Sequence, residues 1–248
     1  MDTIDFDDYS TITNNIKSYV LANKGDFIKE SESNTVDRYG LSVSYNDEII
    51  REHKIHLNEI LCHYCFLGGH YTKVIDLEDI DTGLKVLDFM DMFYKLQKQL
   101  IKAGFQDRDE LLRFEQYMKE PYHHISGPRA GYLSFYYPVS NGNACKHYTR
   151  AVGGEIIEFG QDLFPNIYNY FCSIGIPLKI IAKIPFNRVE GFFAENLIDN
   201  VIRVVLQHEL DDITDISWMD YEIRTSSNIT RDQFCIVYEL DRTKELIQ

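Results

Sequence analysis

Apolar residues recur at helical spacing in several stretches of this chain. Ile12, Ile16, Tyr19 and Val20 form the first stripe, with Ser10 as its predicted cap. Ile50, His53, Leu57, Ile60 and Tyr64 share a second face behind Asn46. Val86, Phe89, Phe93, Leu96 and Leu100 make the third, with Asp81 as cap and Gly104 as stop. Asp107 and Glu110 have the spacing of a capping box before Leu111, Phe114 and Met118, and Pro121 ends that helix. Asp162 and Pro165 open a short helix through Ile167, Tyr170 and Phe171. Phe193, Leu197, Val201, Val204 and Val205 give the last strong stripe. Stripes of this kind fill cores, and no chemistry is assigned to them.

Strand-like runs concentrate later. LSVSY (41–45) alternates, and LCHYCFLGGHYTKVI reads as a tight Gly68-Gly69 turn entering a strand. Tyr132 to Phe159 reads as an aromatic strand, a Pro-Asn-Gly turn, a polar segment, a Gly153-Gly154 pinch and a second strand at Ile157-Glu158-Phe159. LKIIAKI follows, ending at Pro185. Two β-rich runs, ISWMDYEIRTSS and QFCIVYEL, flank a turn at Asn228–Asp232, and residues 29–40 are polar and loop-like. Helices thus dominate about 1–120 and strands about 121–248. The pattern predicts an α+β fold, a helix-rich N-terminal half packed on a mixed or antiparallel sheet formed mainly by the C-terminal half. No repeat and no linker divides the 248 residues, so a single domain is expected.

Composition narrows the function. Hydrophobic residues at 44% and charged residues at 26% suit a packed core rather than a disordered chain. A net charge of −14 repels phosphate backbones and disfavours general nucleic-acid binding, while leaving room for a local pocket that holds one nucleotide. The same charge would suit an acidic, non-enzymatic inhibitor or partner-binding module. Five cysteines after an acidic start, MDTIDFDDYS, point to reduced thiols and a cytoplasmic setting. No apolar run reaches membrane-spanning length.

Three constellations could carry chemistry. His-x-Thr occurs twice, as His70-Tyr71-Thr72 and His147-Tyr148-Thr149. On strands, each His and Thr would share a face. Two such strands side by side resemble the two-histidine phosphoesterases, in which one imidazole acts as base and the other as acid on a cyclic or RNA-type phosphodiester. Cys62-x-x-Cys65, among His53, His56, His63 and His70, has metal or redox spacing. No second such pair exists, and the preferred reading is small buried thiols without a metal. In Trp218–Arg224, strand alternation puts Glu222 and Arg224 on one face. That pair can be a structural ion pair, or a carboxylate that stabilises an oxocarbenium-like centre or orients a ribose hydroxyl.

The order of Leu133-Ser134-Phe135, Lys146–Thr149, Gly153-Gly154, Ile157-Glu158-Phe159 and Trp218–Arg224 resembles a bacterial and phage-associated domain family that is distantly similar to ADP-ribosyltransferases. The resemblance implies a nucleotide ligand, NAD, and a transferase in a toxin, effector or defence setting, with a protein target as one possible acceptor. It implies that His70 binds the nicotinamide ribose and that Tyr148 stacks on nicotinamide. It makes Glu222 the carboxylate that steadies the ribosyl cation, with Arg224 holding a phosphate or orienting Glu222. Tyr71, Thr72, Thr149 and Ser134 would complete the cofactor site, and His147 is the second candidate imidazole. The chain departs from the family where Cys145 or Lys146 stands in place of a tryptophan, and where Arg224 replaces the second acid after Glu222.

Overall fold

A computed structural model describes residues 1–28, 48–119, 131–141, 148–211, 214, 219, 221–240 and 244–247. The loop expected at 29–40, the strand at 41–45, the cap Asn46, and residues His147 and Trp218 lie outside the described residues. The fold is α+β. The strands are β1 Asp2–Ile4, β2 Tyr64–Val74, β3 Leu133–Tyr137, β4 Ile176–Pro185, β5 Tyr221–Thr225, β6 Phe234–Glu239 and β7 Lys244–Ile247. Their order is β5-β3-β2-β4-β6-β7, with β1 on β2. The β1–β2 pair is parallel; β2–β3, β4–β6 and β6–β7 are antiparallel. The sheet is therefore mixed and comes mainly from the second half of the chain.

Two compact units make up the described chain. One contains Met1–Gly68, Tyr137–Asn141 and Lys183–Ile223; the other contains Gly69–Tyr136, Gly142–Ala182 and Arg224–Gln248. In the first unit, helices α1 (Asn14–Ala22) and α3 (Glu48–Leu61) pack against the long helix α8 (Gly191–Asp211), and the four-residue α2 (Lys24–Phe27) packs on α3. The apolar stripes meet as their spacing predicts at Ile16 and Val20 on α1, Ile50 and Leu57 on α3, and Leu197 and Val201 on α8, all buried, but α3 ends at Leu61, so Tyr64 opens β2 instead of extending the helical stripe. Ser10 does not cap α1. Asp8 accepts hydrogen bonds from the Ser10 amide and hydroxyl, which holds Ser10 inside a 3-10 turn, and Thr13 takes the cap position. Val139–Asn141 forms the turn expected after Pro138, and the Ser140 amide donates to Asp7 Oδ2 at 2.9 Å.

In the second unit, helices α4 (Phe89–Lys102), α5 (Arg108–Lys119), α6 (Gly154–Phe159) and α7 (Pro165–Ser173) enclose a core of Phe93, Leu96, Phe114, Ile157, Phe164 and Phe171. Asp88, not Asp81, caps α4, accepting from the Asp91 amide at 2.7 Å. A capping box of Asp76 and Asp79 has already turned the preceding segment into a 3-10 turn, with Asp81 at its end. Asp107 accepts from the Glu110 amide as predicted, but the Glu110 carboxylate points elsewhere. It lies fully buried and accepts from the amides of Asn166 and Ile167 and from Asn166 Nδ2, at 2.7, 2.9 and 2.8 Å. An acid of one helix thus caps the N-terminus of another, α7.

The predicted strand Ile157–Phe159 is a helix. Gly153 sits in the left-handed region at φ +94°, which turns the chain, and the first helical turn brings Ile157 back over it. Its β-branched residues suggested a strand, but burial of Ile157 in the helical core decides the outcome. The Gly68-Gly69 pair is also not a turn. Both glycines lie within β2, and a side chain at Gly69 would meet Lys179 Cε at 3.3 Å, so the glycine makes room across the sheet.

Candidate ligand-binding cleft

A cleft of about 510 Å³ opens in the second unit. Several separate segments of the chain build it. β2 contributes His70 to Val74, with Ile75 just past its end, and β3 with its approach contributes Tyr132, Leu133, Ser134 and Tyr136. The segment from Glu78 to Leu87 forms a second wall, and Met92, Lys95 and Leu96 of α4 with Val152–Gly154 close the base. The second wall is anchored at Leu84, which exchanges two backbone hydrogen bonds with Ile229, at 2.8 and 3.0 Å. The Val86 amide donates to Asn228 Oδ1 at 2.8 Å. Gly83, at φ +102°, allows the close approach, because a Cβ there would lie 2.1 Å from the Ile229 carbonyl oxygen.

β2 and β3 are registered at Gly69 opposite Tyr136. Alternation along β2 puts Tyr71 on the face of Gly69 and Tyr136, with His70 and Thr72 on the other. Tyr136 lies between two tyrosines. Its ring centroid is 6.4 Å from Tyr71, edge-on, and 6.2 Å from Tyr148, at 23°. Lys179 Nζ stands 5.5 Å from the Tyr71 ring centroid. Tyr132 carries the Arg224 guanidinium 4.6 Å over its ring. The result is an aromatic wall with cations placed against two of its rings.

His70 Nδ1 lies 2.9 Å from the Ser134 carbonyl oxygen. A carbonyl only accepts, so Nδ1 is the donor, and the proton of the neutral ring sits there. Burial pushes the imidazole below its ordinary value, and the bond to Ser134 opposes this only in part. Nε2 therefore presents a lone pair, and it has no hydrogen-bond partner among the described residues. Such a group accepts a proton or a hydrogen bond from a ligand hydroxyl.

The charges of the cleft are largely committed. Lys73 Nζ donates to the carbonyls of Arg150 and Cys172, at 3.1 and 2.8 Å, tying the Tyr148–Arg150 turn to the end of α7. Lys95 pairs with Asp79 at 3.1 Å, and Asp79 also accepts from the amides of Ile75 and Asp76. Lys85 and Glu78, both exposed, have no partner among the described residues.

His70, Tyr71, Thr72, Ser134 and Tyr148 of the sequence-derived site line this one cleft. Thr149 stands beside Tyr148 in a 3-10 turn, partly buried, so this part of the second His-x-Thr is not the strand that the phosphoesterase comparison requires. His147 itself lies outside the described residues. Arg224 borders the cleft through Tyr132. Glu222 is a partly buried residue of β5 that belongs to the first unit. Cys65 is buried with its thiol 3.8 Å from Met1 Sδ, and Cys62 is partly buried. Among the described residues no group of three His, Cys, Asp or Glu side chains could hold a metal ion. No helix among them is long and apolar enough to cross a membrane. Sequence reasoning missed the Glu78–Lys85 wall and Tyr136. The wall has no periodicity to reveal it, and Tyr136 reads as one more strand aromatic.

Compared with protein-family models, curated proteins and solved structures, the chain matches none.

Proposed function

We propose that this protein binds a nucleotide in the cleft of its second unit and acts on it as an ADP-ribosyltransferase-like enzyme with NAD as the nucleotide. The observation that carries the reading is the convergence of His70, Tyr71, Thr72, Ser134 and Tyr148 on one cleft from positions far apart in the chain. Tyrosines offer flat faces to a ring. The neutral His70 imidazole, whose Nε2 has no partner among the described residues, offers an acceptor to a ribose hydroxyl. The cleft volume of about 510 Å³ falls within the range of small-molecule sites. The thiols of Cys62 and Cys172, which form no disulfide, support a cytoplasmic setting. A protein side chain is the acceptor that such an enzyme would modify.

Thermal denaturation with and without NAD tests the binding step. NAD raises the Tm of the native protein, and His70→Ala or Tyr148→Ala removes the rise while the unliganded fold, followed by circular dichroism, is kept. The chemical step is tested by nicotinamide release from NAD, which the native protein carries out and His70→Ala does not. Absence of any nucleotide-dependent Tm shift overturns the reading. A shift without nicotinamide release reduces it to nucleotide binding alone.

A further inference from the structure

We infer that the cleft is a mononucleotide subsite that grips one phosphate through Lys85, the one uncommitted ammonium among its described lining residues. This rests on the nucleotide reading above and narrows the ligand class. A pyrophosphate or triphosphate site normally presents several uncommitted cations or a cradle of backbone amides. Here Lys73 is held by two carbonyls and Lys95 is neutralised by Asp79. Lys85 is the one lining ammonium without a partner among the described residues, and the uncommitted carboxylate of Glu78 lines the same wall. The chain around it carries a net charge of −14, so each added phosphate enters an unfavourable field.

The fold fixes Lys85 in place. Its neighbours on both sides are pinned, Leu84 by the backbone pair with Ile229 and Val86 by Asn228. The backbone on which Lys85 stands is therefore set before any ligand arrives, which lowers the entropy lost on binding. A dinucleotide would be held mainly by one half, because no second lining ammonium among the described residues is uncommitted and the Arg224 guanidinium is already engaged over the Tyr132 ring.

Isothermal titration of the full chain with adenosine, AMP, ADP, ATP, nicotinamide mononucleotide and NAD at one ionic strength tests this. AMP binds about threefold to fivefold tighter than adenosine, the scale of one exposed charge contact. ADP and ATP bind no tighter than AMP, and NAD binds no tighter than its better mononucleotide half. Lys85→Ala brings AMP down to the affinity of adenosine and leaves adenosine unchanged. If ATP or NAD binds tenfold or more tighter than the mononucleotides, or if Lys85→Ala leaves the AMP-to-adenosine ratio intact, the single-phosphate subsite is overturned while nucleotide binding stands. If no member of the series binds, the nucleotide reading itself falls, and the subsite with it.

Discussion

Replacing Glu110 by alanine removes a carboxylate that is fully buried and accepts three hydrogen bonds from the start of α7. Its Oε1 serves the amides of both Asn166 and Ile167, and Ile167 is buried, so water cannot replace the acceptor there. A buried amide without a partner costs about 1–3 kcal/mol. Asn166 is exposed and regains water, so its share is small. Loss of a negative charge at a helix N-terminus adds about 0.5–1 kcal/mol. The alanine variant should therefore lose about 2–4 kcal/mol, a large part of a typical folding free energy of about 5–15 kcal/mol. Glu110→Gln keeps an acceptor for both amides, and Asn166 can turn its side-chain amide over to meet the new donor. Only the charge is lost, at about 1 kcal/mol. Urea unfolding followed by far-ultraviolet circular dichroism measures both variants, and hydrogen exchange across Pro165–Ser173 shows whether the loss is seated in α7. The reasoning is refuted if alanine costs less than about 1 kcal/mol, the low end of the buried-amide penalty, or if glutamine costs as much as alanine.

Two further predictions concern the walls of the cleft. His70 is held neutral by burial, so the unfolded chain takes up a proton there before the folded one does. Its contribution is fully present above the ordinary value of 6.5 and declines as the pH falls from there toward the lower folded value; Tm measured from pH 8 to pH 5 should fall less steeply in His70→Asn than in the native chain. Gly83→Ala places a Cβ 2.1 Å from the Ile229 carbonyl at a positive φ, so the Leu84–Ile229 pair must break. Stability should drop by about 2 kcal/mol or more, with loss of exchange protection at the Leu84 and Ile229 amides, whereas Gly104→Ala, with nothing within 4 Å, should show strain from its φ alone.

The sequence carried the helices well because each stripe buries one face against a partner stripe: Phe93, Leu96 and Leu100 of α4, and Leu197, Val201, Val204 and Val205 of α8, are buried as their spacing predicts. Helix starts were less legible. Asp8, Asp76, Asp81 and Asp88 all have the chemistry of a cap, and local hydrogen bonds to nearby amides decide which of them serves a helix and which a 3-10 turn. Glycine pairs were the least legible. Gly68-Gly69 and Gly153-Gly154 look alike in sequence, yet the first lies flat in a strand beside Lys179 and the second turns the chain into α6 under Leu96 and Ile157. What separates them is the neighbour across space, which the local sequence does not contain.

The same distinction explains the cleft. His70 and Tyr148 stood out in the sequence as residue types with chemistry to offer, and both line it. Lys73, Lys85 and Lys95 did not stand out, because one lysine looks like another until its partners are known. Two of them are committed, to carbonyls at the end of α7 and in the Tyr148 turn, and to Asp79. The first commitment links the cleft to Glu110: the carboxylate sets the start of α7, and the end of α7 presents the Cys172 carbonyl to Lys73. Loosening α7 at one end should free the Lys73 ammonium at the other and add a second uncommitted cation to the cleft. Glu110→Ala, assayed well below its Tm, should then weaken the preference for mononucleotides and raise the relative affinity of ADP. An unchanged AMP-to-ADP ratio in that variant would show that α7 holds Lys73 independently of its N-terminal cap.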